Sequence, residues 1–282
     1  MPDQAALPTP ASRLHDRYRG AAPGGGAAWL PTWSPVIDSL LQHRSVRAYL
    51  PDALPPGTLE TLVAAAQSAA TSSNLQTWSV VAVEDPARKS RLAAFAHGQK
   101  HIEQAPLFLL WIADLSRATR LGVSHSRTIA TVDYLETFLV AVIDAAIAAQ
   151  NAIAAAESLG LGTVYIGAMR NHPVEVAAEI GLPPGAMAVF GLCVGIPDPA
   201  MPAAIKPRLP QDTVLHRERY DATQESTQIA AYDAHLQAFQ AEQAMKPQGW
   251  SDLVLNRMSG VESMSGRHEL RAALHALGFP LQ

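Results

Sequence analysis

Between Phe138 and Ala156 the chain is almost unbroken Ala, Val, Ile and Leu, and no other stretch constrains the fold as tightly. The run is long enough to span a bilayer. Yet Asp144, Gln150 and Asn151 fall inside it and Glu157 follows at once, and charged groups at bilayer depth are costly. A central helix from about Tyr134 to Leu159, buried nearly all round, accommodates both facts. Gly160 and Gly162 would stop it, as glycine does at helix C-termini. Much of the apolar content is alanine, which lets helices approach closely, so a helix-rich core is expected.

A chain of 282 residues, 48% hydrophobic and 16% charged, can bury a sizeable core, which excludes wholesale disorder. It is one large domain or two small ones. A net charge of -4 with a pI near 6.2 gives no reason to expect a nucleic-acid partner. The single cysteine, Cys193, sits in the apolar run 188–194 and reads as a buried strand thiol. The first residues lack a basic-then-apolar signal pattern, so a cytoplasmic protein with no membrane partner is expected.

Three segments divide the chain. Residues 1–33 read as a flexible accessory arm, with a glycine-rich run over 21–28 and with Trp29 and Trp33 suggesting that part of it packs. Residues 34–222 read as the core, and 223–282 as a C-terminal helical extension packing on the core or a partner subunit. Helices are expected from Ser34-Pro35 through Leu40, over Thr58–Ala69, Ala87–Ala96, Pro173–Ile180, 228–244 and Glu269–Leu277. Strands are expected over Trp78–Val83, Phe108–Ala113, Thr163–Ile166 and Met187–Val194. Their irregular alternation predicts an α/β or α+β domain around a mixed sheet.

Several chemistries lack their signatures. Gly160-Leu161-Gly162 precedes its strand and breaks the dinucleotide fingerprint. There is no Walker A loop, Gly-x-Ser-x-Gly elbow or Cys-x-x-Cys. His97 and His101 stand four apart and could share a helix face, but no third ligand accompanies them, so no metal site is expected.

Three polar segments remain. His43-Arg44-Ser45-Val46-Arg47 offers two guanidinium groups, an imidazole and a hydroxyl, which suit phosphate oxygens as well as a solvated basic turn. Lys206-Pro207-Arg208 holds two cations on extended backbone, so that they could converge on one spot. Ala70-Thr71-Ser72-Ser73-Asn74-Leu75-Gln76 is either an ordinary capping loop or a shelf of donors and acceptors for a flat polar ligand.

To these segments add Gly98–His101, Ala149-Gln150-Asn151, Ala156–Gly162, Val164–Asn171, Phe190–Gly195 and Lys206–Pro210. In this order and spacing, from about residue 36 to 222, they resemble the nitroreductase family. The branch they most resemble is that of the oxygen-insensitive NADPH nitroreductases and flavin reductases. The resemblance implies an α+β fold, a nitroreductase-like three-layer sandwich with a mixed central sheet flanked by helices. It also implies an interlocked homodimer with FMN at the interface.

The resemblance further implies residue roles. His43, Arg44, Ser45 and Arg208 would hold the FMN phosphate, with Arg47 and Lys206 nearer the ribityl and pyrimidine side. Ser72, Ser73, Asn74, Gln76 and Gln99 match positions lining the flavin. Tyr165, Ile166 and Gly167 match the segment over one ring face, the Gly167 N–H facing N5 or O4. Arg170 and Arg267, with Asn74, match the nicotinamide and substrate pocket. Arg47, Gly167 and Arg170 would orient flavin and substrate, with no covalent nucleophile.

The implied reaction passes a hydride from NADPH or NADH through flavin N5 to a small flat oxidant, a nitroaromatic or a quinone, in ping-pong order. A free-flavin reductase on the same scaffold and a non-enzymatic flavin-binding protein are the alternatives. Asn74 replaces an aromatic residue common in this branch, and Ala168 replaces a second glycine. The stretch 242–249 carries only Lys246 where close relatives have a basic loop for the NADPH 2′-phosphate, which leaves NADPH and NADH both as donors.

Overall fold

The computed structural model describes residues 9–19 and 32–282; the glycine-rich run and Trp29 lie outside the described residues. In chain order the first elements are helices α1 (Pro10–Tyr18), α2 (Pro35–Leu41) and α3 (Thr58–Gln67). Strand β1 (Trp78–Val83), helices α4 (Pro86–Phe95) and α5 (Lys100–Gln104), and strand β2 (Leu107–Asp114) come next. They are followed by α6 (Ser116–Ser124), α7 (Leu135–Ser158), β3 (Gly162–Ile166), α8 (Pro173–Glu179) and β4 (Ala186–Gly195). The chain closes with α9 (Gln211–Val214), α10 (Glu225–Glu242), α11 (Trp250–Arg257) and α12 (Leu270–Ala276). It divides into two compact units, residues 1–44 with 204–263 and residues 45–203 with 264–282.

The larger unit, 45–203 with 264–282, is built on a four-stranded sheet of order β1-β2-β4-β3. Every residue of β2 is buried, because both faces of the sheet are covered. Leu107, Leu109, Trp111 and Ala113 face one apolar cluster with α3 and α7. Phe108, Leu110 and Ile112 face a second, with Leu92 and Ala93 of α4, Ile102 of α5 and Val176 of α8. Helix, sheet and helix thus form three layers, an α+β arrangement.

The expected mixed sheet is corrected: β1–β2, β2–β4 and β3–β4 all pair antiparallel. The reason lies in the connections. Strands β1 and β2 are joined by α4 and α5, β3 and β4 by a 3-10 turn and α8, and β2 and β3 by α6, a 3-10 turn and α7. The first two connections reverse the strand direction, whereas β2 and β3 run the same way and are kept apart by β4, which pairs antiparallel with both. A parallel contact does occur, the isolated bridge between Ser45 and Thr163.

Helix α7 is long and apolar enough to cross a membrane, by length and composition. In the structure it is a core helix whose buried face is mostly alanine, at 141, 145, 148, 149, 152 and 156. Small side chains bring its backbone close to the sheet and to α3. Asn151 fixes the second approach, its Nδ2 donating to the Ala65 carbonyl at 3.2 Å.

The two glycines expected to end α7 have separate tasks. Gly160 takes a φ of +78°, the left-handed conformation of a helix stop. Gly162 is the first residue of β3, where a Cβ would stand 2.8 Å from the Val46 side chain. That close approach is what the glycine permits.

The smaller unit, 1–44 with 204–263, holds α1, α2, α9, α10 and α11. Thr9 caps α1, its Oγ accepting from the Ser12 N–H at 3.2 Å, and Pro10 opens the first turn. Ser34 and Pro35 start α2 in the same way. Helices α10 and α11 are joined by Asp233, which accepts from the Ser251 N–H at 2.9 Å and hydroxyl at 2.7 Å.

Candidate functional site

In the smaller unit, the two basic segments that stood out in the sequence meet at one side chain. Arg17 of α1 is only 5% exposed. Its guanidinium donates to the carbonyls of Leu41 and His43, each at 2.7 Å, and to that of Lys206 at 3.0 Å. The Arg208 N–H donates back to the Arg17 carbonyl at 3.0 Å. Pro207 between them accepts from the buried Tyr232 hydroxyl at 2.9 Å. The backbones of 41–43 and 206–208 are thereby held together, while the side chains of Arg44, Lys206 and Arg208 remain exposed.

In the larger unit, Ser45 and Val46 lie along β3, with the Val46 N–H donating to the Thr163 carbonyl at 2.9 Å. Val46 is buried and Arg47, next in the chain, is exposed. Beside Arg47 stands His101, whose Nε2 is buried and has no hydrogen-bond partner. Burial first, and then the Arg47 charge, hold the His101 pKa below its ordinary value. His97 and His101 do not share a helix face. His97 lies in the turn after α4 at φ 59°, and His101 is on α5.

The segment 70–77 is an anchored loop. Asp144, 1% exposed on α7, accepts from the Ser72 N–H at 3.0 Å. Its other oxygen accepts from the Thr77 N–H at 3.2 Å and hydroxyl at 3.0 Å. The carboxylate that seemed out of place in an apolar run therefore pins both ends of this loop. Between the pins, Ser73, Asn74 and Gln76 take φ of 49°, 55° and 50°. Left-handed non-glycine residues cost about 1 kcal/mol each, and such conformations cluster at ligand-binding loops.

Arg117 of α6 holds the exit of the loop through the Gln76 carbonyl at 2.7 Å and the Ser79 hydroxyl at 2.9 Å. Asp114 supports Arg117 at 3.8 Å. Burial would raise the Asp114 carboxyl, but hydrogen bonds from Ser116 and Ser79 and the Arg117 charge bring it below the usual carboxylate range. A cavity of about 470 Å³ opens here, lined by Leu75, Gln76, Trp78 and Arg117 among others. Gln99 stands at the N-cap position of α5 without a side-chain capping bond.

The segment 165–170 turns from β3 into a 3-10 turn. Tyr165 is 39% exposed and meets Phe190 edge-on at 4.9 Å. Burial of its hydroxyl, then the Glu157 charge, push the phenol up to about 12. Ile166 is 2% exposed, so its side chain belongs to the core and only its backbone can face a ligand. Arg170 donates to the Val189 carbonyl at 2.5 Å, and its guanidinium lies against Gly167. Burial lowers its pKa, yet a guanidinium keeps its charge.

Arg267 donates through Nε to Asn171 Oδ1 at 2.8 Å. Arg170 and Asn171 line a cavity of about 210 Å³ with Gly266 and Leu270. Arg267 is thus tied to the residue that follows Arg170. Cys193 is fully buried in β4, and burial pushes its thiol up, as expected of an inert strand cysteine.

Arg17, Asp144 and Arg117 hold these segments and were not singled out as site residues from sequence, whereas His101 was weighed there only as a metal ligand. Asp144 had a visible signal, a lone carboxylate in an apolar run. Arg17 had a weaker one, the Thr9-Pro10 helix start.

Known proteins resemble this chain in sequence and in fold. Residues 40–196 match the nitroreductase family and residues 206–282 the nitroreductase family C-terminal domain. The chain is 43% identical to an FMN reductase [NAD(P)H] of Bacillus subtilis over 72% of its own length and 82% of the relative's. It is 38% identical to an oxygen-insensitive NADPH nitroreductase of Salmonella typhimurium, over 72% and 81% respectively. The structure of the NADPH:FMN oxidoreductase from Vibrio harveyi, solved in complex with NAD+, superimposes with a TM-score of 0.77 at 32% identity. That match covers 88% of this chain and 99% of the other. The chain belongs to the nitroreductase family of oxidoreductases, on the branch of the FMN reductases and oxygen-insensitive NADPH nitroreductases.

Proposed function

We propose that the protein is an FMN-dependent oxidoreductase that draws reducing equivalents from NADPH or NADH and delivers them to nitroaromatic or quinone acceptors. The observation that carries this reading is the junction at Arg17, which holds the His43 and Lys206–Arg208 segments together and leaves their cations exposed. Exposed guanidinium groups beside one another suit a phosphate.

The donor set fits the rest of such a cofactor. The strained loop 72–76 presents hydroxyls and amides, Gln99 an amide, and His101 a buried nitrogen awaiting a partner. FMN, when bound, supplies the two-electron chemistry that no side chain here provides.

The chain's own residues bind and orient. His43, Arg44, Ser45 and Arg208 are assigned to the phosphate, and Arg47 and Lys206 to the ribityl and pyrimidine side. A cation there favours the charge that develops on reduction. Ser72, Ser73, Asn74, Gln76, Tyr165, the Ile166 backbone and Gly167 line the ring. Arg170, Arg267 and Asn74 border the pocket for nicotinamide and acceptor, where Arg170 is braced by Val189.

A homodimer belongs to this reading. Leu135, Leu139, Ile143 and Ile147 repeat every four residues along α7 and are 39–53% exposed. A continuous apolar stripe on a core helix suits a second copy of the chain.

The Bacillus subtilis relative is an FMN reductase by name, which favours a second reading, reduction of free FMN as the acceptor. Steady-state rates with a quinone, a nitrofuran and free FMN separate the two. The shared claim is tested by the absorbance of the purified protein before and after anaerobic NADPH or NADH. A flavin band that bleaches supports it, and a colourless protein that takes up no FMN overturns it.

A further inference from the structure

Helix α1 lies ahead of both regions that match the family, residues 40–196 and 206–282. Its contacts nevertheless converge on the segments assigned to the phosphate. We infer that α1 is a splint for the phosphate-binding cations and that Arg17 is its positioning residue. This inference rests on the proposed FMN site and goes beyond it, because it makes flavin affinity depend on a segment outside the family regions.

The geometry is specific. Arg17 is the buried residue of α1. A buried guanidinium is tolerated when oxygen acceptors surround it, and here backbone carbonyls of 41, 43 and 206 do so. Those carbonyls flank His43 and Arg44 on one side and belong to Lys206 on the other. One rigid planar group therefore fixes the spacing of two chain segments far apart in sequence. The return bond from the Arg208 N–H to the Arg17 carbonyl sets the direction of Arg208 as well.

The rest of α1 holds Arg17 in place. Arg13, one turn earlier, binds Asp38 of α2 through Nε at 2.8 Å and a terminal nitrogen at 3.3 Å. Arg19 pairs with Glu242 of α10 at 2.7 Å and stands 5.4 Å over the Phe239 ring. Arg17 touches no ligand in this scheme. It acts through the backbones that carry His43, Arg44, Lys206 and Arg208.

A positioning role for the phosphate cations makes a prediction that general stabilisation does not. Loss of Arg17 must weaken FMN and spare riboflavin, which has the same ring and no phosphate. The test measures dissociation constants of both flavins for the full-length wild type, Arg17→Ala, Arg17→Lys and Arg208→Ala. Expected is an FMN affinity about tenfold lower or worse in Arg17→Ala, with riboflavin unchanged and part of the FMN affinity restored in Arg17→Lys. Should Arg17→Ala fail to fold, the same comparison in Arg17→Lys decides, with an intermediate loss confined to FMN.

The outcomes separate the two claims. If Arg208→Ala weakens FMN and the Arg17 variants do not, the splint is refuted and the phosphate site stands. If the Arg17 variants weaken FMN and riboflavin equally, Arg17 is a structural residue only and the inference is overturned. If wild type does not prefer FMN to riboflavin and Arg208→Ala changes nothing, the phosphate assignment fails and the splint with it.

Discussion

Asp144 shows what a single side chain can decide. In the sequence it argued against a membrane span; in the structure it anchors the loop on which Ser72, Ser73, Asn74 and Gln76 stand. Asp144→Ala would strand two backbone N–H groups and a hydroxyl, and hydrogen bonds to a charged group are worth about 1.5–3 kcal/mol each. We expect a loss of about 3 kcal/mol in urea unfolding, together with weaker flavin binding. A loss below about 1 kcal/mol would show that the loop holds itself.

His101 gives a second prediction at this scale. Its folded pKa is depressed, by burial first and by Arg47 next. The unfolded chain therefore takes up the proton first, near pH 6.5 as the pH falls. The stability it contributes is complete above that value and is lost as the pH drops through the folded pKa. Urea midpoints at about pH 7.5 and about pH 5.5 should fall further apart in wild type than in His101→Gln. Equal spacing in the two proteins would contradict the assignment.

Elements were legible where their buried face is apolar. The spacing of Leu59, Leu62, Val63 and Ala66 predicts α3, and the runs at 78–83, 108–113, 163–166 and 187–194 predict the strands. Helix α1 escaped that pattern because its buried residue is Arg17 and its other inward contact is Arg13. Periodicity of apolar residues cannot find a helix that packs through arginines. The sheet's pairing was illegible for another reason: it depends on β4 inserting between β2 and β3, and α5 and α6, which help set the strand directions, leave weak marks in sequence.

Helix α7 also carries a prediction. Ile143 sits mid-stripe and is 53% exposed. If that stripe seats a second copy, a charge there must be desolvated against apolar surface, which is costly. Ile143→Glu should convert a dimer to a monomer in light scattering with the helical content kept. A dimer undisturbed by Ile143→Glu would move the interface elsewhere.

At the scale of the whole molecule, family membership was legible because several short motifs stood in register, although each was weak alone. The candidate site was proposed from sequence as a set of separate segments. What joins them was not, since Arg17 meets Lys206 across 189 positions of sequence and Asp144 meets Ser72 across 72. Such pairings are set by folding, and a single sequence does not display them.

The central claim is that the protein binds FMN and uses it to oxidise NADPH or NADH. Its most direct test is the visible absorbance of the purified protein, taken for wild type, Arg47→Ala and Arg208→Ala before and after anaerobic NADPH or NADH. We predict a yellow wild type whose flavin band bleaches, and variants that emerge from purification largely stripped of flavin. Full flavin occupancy in both variants, or a flavin that neither donor bleaches, would contradict the account.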